Sequence, residues 1–181
     1  MLETERLLLR EFDPSDFADV HAYTSDSEVH RYWGGHAYTA LETREFLAAC
    51  AEDRRRLPRI HYRFAIVLRE TGTVIGGSGI EDISHSRREA TLGYALNRDY
   101  WSRGLTTEVV KRLLEFAFSN LRLHRVVALC NSENAASERV LRKCGFVHEG
   151  TLREHQRIGD AWQSSELYSL LDREFTASRR A

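Results

Sequence analysis

The sequence predicts an α/β (α+β) fold in which one mixed sheet of about seven strands carries helices on both faces. A strand-like run at residues 89–96 is followed, after one polar turn, by apolar residues at helical spacing from Leu105 onward. Residues 125–130 form a nearly all-apolar run that is typical of a strand buried on both faces. Strand, helix and strand make a crossover unit whose two strands we expect to be parallel. Strand-like runs on either side of this unit are paired as in hairpins, whose strands are antiparallel, so we expect the sheet to be mixed.

The chain before this unit first predicts a strand and two helices. Residues 7–12 are strand-like, and Asp13 can cap a helix whose first position suits Pro14. Thr39 and Glu42 have the spacing of a capping box, so we expect a second helix to begin there. Such caps satisfy backbone N–H groups that the start of a helix leaves without partners.

Two hairpins and one further helix complete the predicted order β-α-α-β-β-β-α-β-α-β-β. Residues 62–80 predict one hairpin and residues 147–171 predict another. Between them, a helix capped by Ser132 or Asn134 should end at Gly145, because glycine readily adopts the left-handed conformation that closes a helix.

Composition restricts the class of protein. A chain of 181 residues suits a single domain that spans residues 1–181. The formal net charge of -1 indicates no general attraction to nucleic acid or to an acidic membrane. The cysteines, Cys50, Cys130 and Cys144, are widely spaced and form no CxxC pair, which argues against a disulfide scaffold or a metal site. No run has the length of a secretory signal or a membrane span, so we expect a soluble cytoplasmic protein.

The turn at residues 101–107 is the strongest candidate for a binding site on local chemistry alone. It joins the strand at 89–96 to a helix and contains one glycine, Gly104. At the start of a helix the backbone N–H groups have no helical partner and the helix dipole is positive, so the turn suits an anion such as phosphate. An ordinary connection between a strand and a helix explains the same residues, and both interpretations stay open at this point.

Eight motifs follow one another along nearly the whole chain. They are Glu5–Arg10, Glu28–Trp33, Gly76–Ile80, Leu92–Leu96, Trp101–Glu108, Asn134–Phe146, Glu149–Arg153 and Leu167–Leu171. In this order the chain resembles the GNAT superfamily of acetyl-CoA-dependent N-acetyltransferases. The resemblance is strongest to the RimJ/RimL-type branch, whose members acetylate the N-terminal amine of ribosomal proteins. It implies transfer of an acetyl group from acetyl-CoA to a primary amine by direct attack in a ternary complex, without a metal.

The resemblance also implies where coenzyme A lies. Its pyrophosphate would be held by backbone N–H groups of the turn, at Ser102, Arg103, Gly104, Leu105, Thr106 and Thr107. The turn departs twice from the family pattern Q/R-x-x-G-x-G/A, with Trp101 at the polar first place and Thr106 at the small last one. The backbone at Leu96 would hold the acetyl carbonyl and the pantetheine arm, in a gap where this strand splays from the next. Asn134 would hydrogen-bond the arm.

The same resemblance implies an acid and a base. Ser137 matches a serine that protonates the departing thiolate, although a solvent-facing serine in the first turn of a helix explains it equally. Thr91 and Gln156 replace glutamates that serve as the base in related proteins. Our first choices are therefore Glu81 and Glu154, since each should lie near a strand end that faces the acceptor. The alternatives are solvent water or another titratable side chain, namely Glu89, His30 or His155.

The acceptor pocket is expected to combine aromatic and polar residues of a loop, a strand and the last hairpin, namely Tyr32, Trp33, Tyr94, Gln156 and Trp162. The acceptor is a peptide N-terminus, first of all that of a ribosomal protein, or a free amino acid or a small amine. Two other functions stay open: a catalytically degenerate acyl-CoA sensor, which the missing carboxylates favour, and a nucleotide-phosphate-binding domain outside this family. The sequence allows a monomer or a homodimer.

Overall fold

The computed structural model describes residues 1–32 and 36–178. Its strands are β1 (Leu2–Glu3), β2 (Leu7–Glu11), β3 (Tyr62–Leu68), β4 (Val74–Ser84), β5 (Glu89–Leu96), β6 (Arg125–Asn131), β7 (Val147–Ile158) and β8 (Ala161–Leu171). Its α-helices are α1 (Phe17–Thr24), α2 (Ser27–His30), α3 (Ala40–Asp53), α4 (Leu105–Glu115), α5 (Ala135–Lys143) and α6 (Asp172–Ser178). Within the described ranges, no helix is long and apolar enough to cross a membrane.

The strands form one mixed sheet in the order β1-β2-β3-β4-β5-β6-β8-β7. Every neighbouring pair is antiparallel except β5 and β6, which are parallel. The predicted crossover unit is therefore confirmed, with α4 as its helix. The sheet has eight strands where about seven were predicted, and the two-residue strand β1 is one that the hydrophobic pattern did not indicate.

Helices cover both faces of the sheet and divide the core into two clusters. On one face, α4 and α5 bury Leu105, Val109, Val110, Leu113, Leu114 and Leu141. On the other face, α1 and α3 bury Val20, Tyr23, Leu47 and Cys50. The apolar residues of α4 recur at intervals of three and four, which places them on one side of the helix and explains why it packs as the sequence predicts.

Local chemistry sets the ends of the helices at the predicted places. Thr39 and Glu42 form the predicted capping box at the start of α3. Asp13 caps a 3₁₀ turn that leads into α1. Gly145, just beyond α5, has a φ of 88°, a left-handed conformation that glycine adopts without steric penalty.

The parallel pair β5–β6 separates after a short stretch. Residues 89–91 of β5 pair with residues 125–127 of β6, and the pairing stops there although both strands continue. Beyond that point the two strands diverge and leave a gap inside the sheet. The splay that the family resemblance implied is thus present.

Charged side chains hold the base of this gap together. Arg125, the first residue of β6, donates two hydrogen bonds to Glu149 of β7, at 2.8 and 2.5 Å. It also forms an ion pair with Glu89 of β5 at 3.1 Å. Ser169 donates a further hydrogen bond to Glu149 at 2.7 Å. The three strands β5, β6 and β7 are therefore linked where β5 and β6 still pair.

This cluster predicts a defined dependence of stability on pH. Hydrogen bonds from Arg125 and then Ser169 lower the pKa of Glu149 to about 2. Because the folded-state pKa lies below the unfolded value of about 4.3, the carboxylate stabilises the fold fully above that value and loses its effect as the pH falls through about 2. We expect Glu149→Gln to flatten the fall in unfolding free energy over this window, as measured by denaturant titration.

The matched control is Glu70→Gln, because Glu70 is exposed in the turn between β3 and β4. It should leave the pH dependence of the unfolding free energy unchanged. Since the Glu149 side chain is one-third exposed, solvent screens its ion pair, and the expected difference in unfolding free energy between wild type and Glu149→Gln is modest. Equal pH dependence in wild type and Glu149→Gln would contradict the assignment.

Candidate active site

A cavity of about 630 Å³ lies where the gap in the sheet meets the starts of α4 and α5. Such a volume suits a small-molecule ligand. Among its lining residues are eleven that the sequence predicted for a site, namely Tyr32, Tyr94, Leu96, Ser102, Arg103, Gly104, Leu105, Thr106, Thr107, Asn134 and Ser137. Residues that are far apart in the chain therefore meet at one place.

The backbone of β5 directs groups into the gap that are not paired with a neighbouring strand. Asn97 N donates to Ile75 O at 2.8 Å, and Leu96 lies opposite Gly76. In an antiparallel ladder this makes Leu96 and Gly76 a pair without mutual hydrogen bonds, so the N–H and C=O of Leu96 point away from β4. Hydrogen-bonded and non-hydrogen-bonded pairs alternate along the ladder, so the N–H and C=O of Tyr94, two residues before Leu96, also point into the gap. This strand end can pair with a bound chain as another strand would.

The Trp101 side chain forms a hydrogen bond with one of these groups, the carbonyl of Leu96. Its Nε1 donates a hydrogen bond to Leu96 O at 2.7 Å, so the indole joins the turn to the end of β5. The Leu96 carbonyl is thereby satisfied, and its N–H remains directed into the gap. The residue that departs from the family pattern at the first place of the turn thus has a role that its position in the sequence did not reveal.

The turn itself presents successive backbone N–H groups to the cavity. Ser102 and Gly104 have φ values of 60° and 77°, both left-handed. The first hydrogen bond of α4 runs from Glu108 N to Gly104 O at 3.2 Å, so the N–H groups of residues 104–107 precede the helical ladder. Closely spaced N–H groups at the positive end of a helix form an anion-binding concavity. The anion interpretation fits this geometry.

Residues at the start of the chain hold the turn from behind. Arg6 donates to Arg103 O at 3.1 Å and to Glu108 at 2.8 Å, and Thr4 donates to the same carboxylate at 2.5 Å. Burial tends to raise the pKa of Glu108, but the hydrogen bonds from Thr4 and Arg6 outweigh it and leave the pKa lowered. The carboxylate therefore stays ionised and fixes the first turn of α4.

Two hydroxyl groups meet across the cavity. Tyr94 Oη and Ser137 Oγ form a hydrogen bond of 2.7 Å, which joins β5 to the first turn of α5. Asn134 Oδ1 accepts a hydrogen bond from Ser137 N at 3.0 Å, so Asn134 caps α5 and sets the place of the serine. Burial raises the pKa of Tyr94, against a smaller opposing effect of its bond with Ser137. The predicted acid is thus paired with a residue that was predicted to contact substrate.

The thiols near this pair are not activated. Burial raises the pKa of both Cys130 and Cys144 to about 11. Because the thiolate is the nucleophile, thiols that stay protonated at neutral pH are poor nucleophiles. The surroundings therefore favour transfer without a covalent intermediate on cysteine.

The two candidate bases lie in different surroundings, and neither lines the cavity. Glu81 of β4 lies directly opposite Thr91 of β5, so both side chains are on the same face of the sheet. Its Oε1 is 3.9 Å from the point that a Cβ on Gly93 would occupy. Glu154 is exposed in β7, where its φ of 51° lies at an irregularity of the pairing with β8.

Other predicted acceptor residues are not brought to the cavity. Gln156 and Trp162 lie on the β7–β8 hairpin and do not line it, and 61% of Trp162 is exposed. Trp33 lies outside the described residues. The prediction that these residues contact the acceptor stays a prediction.

Charged residues to which the sequence assigned no role in the site also line the cavity, namely Glu28, Arg31, Glu133, Arg139 and Lys143. Arg139 and Lys143 are four residues apart on α5, so helical spacing from Ala136 could have placed them on the cavity side. Glu28 and Arg31 belong to the motif Glu28–Trp33, so the family resemblance could have pointed to them.

Comparisons with known proteins agree with this geometry. The family model described as "Acetyltransferase (GNAT) domain" matches residues 6–147. The uncharacterized N-acetyltransferase p20 of Bacillus licheniformis is 32% identical over 174 residues, which cover 96% of this chain and 97% of that protein.

Two solved structures share the fold at equal similarity. One is spermidine N-acetyltransferase from Vibrio cholerae in complex with CoA and spermine, with a TM-score of 0.84, 22% identity and coverage of 96% of this chain and 99% of that one. The other is ribosomal-protein-S5-alanine acetyltransferase from Vibrio fischeri, with a TM-score of 0.84, 22% identity and coverage of 96% and 97%. At this identity the likeness concerns the fold and does not choose between their acceptors.

The role of Trp101 can be tested by Trp101→Phe, which keeps an aromatic ring and removes the bond to Leu96 O. Since such a hydrogen bond contributes about 1 kcal/mol, we expect the dissociation constant for coenzyme A to rise about three- to tenfold by calorimetry. Trp162→Phe is the matched control because Trp162 does not line the cavity, and it should bind coenzyme A as wild type does. Equal affinity in both variants would mean that the indole does not position the turn.

Proposed function

The chain belongs to the acetyltransferase (GNAT) domain family, and we propose that it transfers the acetyl group of acetyl-CoA directly to a primary amine in a ternary complex. The observation that carries the proposal is that the gap beside β5, the turn at 101–107 and Ser137 share one cavity. Family membership makes the chain an acetyl-CoA-dependent N-acetyltransferase; the roles of the individual residues are our inference.

The residues present fit the donor. The left-handed residues Ser102 and Gly104 direct N–H groups to where a pyrophosphate would lie. The Leu96 N–H faces the gap and can donate to the developing oxyanion of the acetyl group. Ser137, which lines the same cavity, can give a proton to the departing sulfur. A donor bound in this cavity would thus have groups for its pyrophosphate, its carbonyl and its sulfur.

A cluster on the face of α1 and α3 supports the acceptor side. Arg63 donates to Glu81 at 2.9 Å and pairs with Asp53 at 3.0 Å. The three side chains together carry one more negative than positive charge, which favours the approach of an ammonium group. Arg63 engages Oε2 of Glu81, while Oε1 lies beside Gly93 of β5.

These contacts make Glu81 the better candidate for the base. An amine near its free pKa is mostly protonated at neutral pH, so a proton must be removed before attack, directly or through water. Glu81 lies one strand away from Thr91, the position at which related proteins carry a carboxylate. We infer that Glu81 takes the place of that carboxylate and that Glu154 does not.

The acceptor that we propose first is the N-terminal amine of a peptide, in keeping with the RimJ/RimL-like motifs. The exposed arginines that follow α3, Arg54, Arg55 and Arg56, lie on the acceptor face and disfavour a polycation. A polyamine is the second candidate, because the spermidine enzyme shares the fold as fully as the ribosomal-protein enzyme does.

The alternative to an active enzyme is an acyl-CoA sensor, which the absence of a carboxylate at Thr91 favours.

A panel of acceptors tests the proposal. Release of free thiol from acetyl-CoA is measured with N-terminal peptides of ribosomal proteins, free amino acids, spermidine and spermine. We expect turnover with peptides to exceed turnover with polyamines. Thiol release at the rate without protein, for every acceptor, would favour the sensor.

The same assay decides between the two candidate bases. Glu81→Gln should lower kcat on the order of a hundredfold, since general base catalysis contributes about that much or more. Glu154→Gln should stay near wild type, and Glu70→Gln serves as the remote control. A large loss in Glu154→Gln with none in Glu81→Gln would reverse the assignment.

A further inference from the structure

The hydrogen bond between Tyr94 and Ser137 connects a buried phenol to the serine that we propose as the acid. It joins two elements across the cavity at 2.7 Å, and the serine is held by the Asn134 cap. Both residues line the cavity at the end of β5. The Tyr94 hydroxyl is therefore in contact with the group that we propose as the acid.

A serine hydroxyl alone is poorly suited to that role. A thiol has a pKa of about 8.5 and is a stronger acid than an aliphatic alcohol, so a serine that protonates a thiolate must regain a proton at once. An exposed phenol, with a pKa of about 10, is a stronger acid than an aliphatic alcohol and can return a proton to a serine. Tyr94 is the phenol that is in hydrogen-bond contact with Ser137.

We propose that Tyr94 supplies, through Ser137, the proton that the departing sulfur takes, an inference that rests on the acetyl transfer proposed above. As the carbon–sulfur bond breaks, its electron pair stays on sulfur and Ser137 Oγ gives its proton to that sulfur. Ser137 Oγ then takes the proton of Tyr94 Oη, and solvent water returns a proton to the phenolate. The proton that the amine loses leaves separately through the base.

The surroundings of Tyr94 fit this role. Burial raises its pKa, which keeps the hydroxyl protonated but makes it a weaker acid than an exposed phenol, and the hydrogen bond with Ser137 opposes part of that rise. Its titratable neighbours are the thiols of Cys130 on β6 and Cys144 after α5, which burial also keeps protonated. Since Tyr94 acts through Ser137 and does not itself touch the sulfur, its effect must disappear when Ser137 is removed.

The test compares Tyr94→Phe, Ser137→Ala and the double variant in single-turnover reactions. Tyr94→Phe should lower the acetyl-transfer rate about ten- to hundredfold, with the dissociation constant for acetyl-CoA unchanged by calorimetry. The double variant should be no slower than Ser137→Ala, because the two residues act as one unit. Tyr62→Phe is the matched control, since Tyr62 lies on β3 outside the cavity. Thermal unfolding checks that each variant is folded.

A second measurement uses the native protein. The dependence of the wild-type rate on the deuterium content of the solvent should be curved, as expected when two protons move together. In Tyr94→Phe the same dependence should become linear.

Three results overturn the relay. Two of them are a linear dependence in wild type and a wild-type rate in Tyr94→Phe. A loss of rate matched by an equal loss of acetyl-CoA affinity also overturns it, since that result describes a packing role. Absence of turnover by wild type with every amine overturns the proposed function as well, whereas the other results concern the relay alone.

Discussion

The structure depends on a parallel strand pair that stops pairing inside the sheet. The strands β5 and β6 share a ladder only at residues 89–91 and 125–127, and beyond it their backbones separate. Backbone N–H and C=O groups inside a protein need hydrogen-bond partners, so such a gap must be filled. Trp101 satisfies one carbonyl from within the chain. The remaining groups are free of β-sheet partners on this side, so a bound ligand can pair with them.

The sheet also separates the two substrates of the proposed reaction. The turn at 101–107, α4 and α5 lie on one face, and α1 and α3 lie on the other with the Arg63–Glu81 pair. The gap connects these faces, so a donor and an amine that approach from opposite sides can meet at the end of β5. Because the nearby thiols stay protonated, this arrangement suits direct attack.

Local chemistry made much of the fold predictable. The capping box at Thr39, the stop at Gly145 and the helical spacing in α4 depend on neighbours in sequence, and each lies where it was predicted. The family motifs likewise indicated eleven of the residues that line the cavity. The bond from Trp101 to Leu96, the pairing of Tyr94 with Ser137 and the place of Glu81 depend on the register and splay of strands, which a single sequence does not specify. The acceptor is least predictable, because it is recognised by loops and side chains that vary on a common fold.

We propose that acetyl-CoA completes the sheet along β5. Amide hydrogen exchange, measured residue by residue with and without acetyl-CoA, tests this most directly. The N–H groups of Tyr94 and Leu96 and those of residues 102–107 should become protected, whereas the N–H of Ala95, which faces β4 in the hydrogen-bonded pair with Gly77, should not change. Binding of acetyl-CoA without added protection at Tyr94 and Leu96 would contradict the claim.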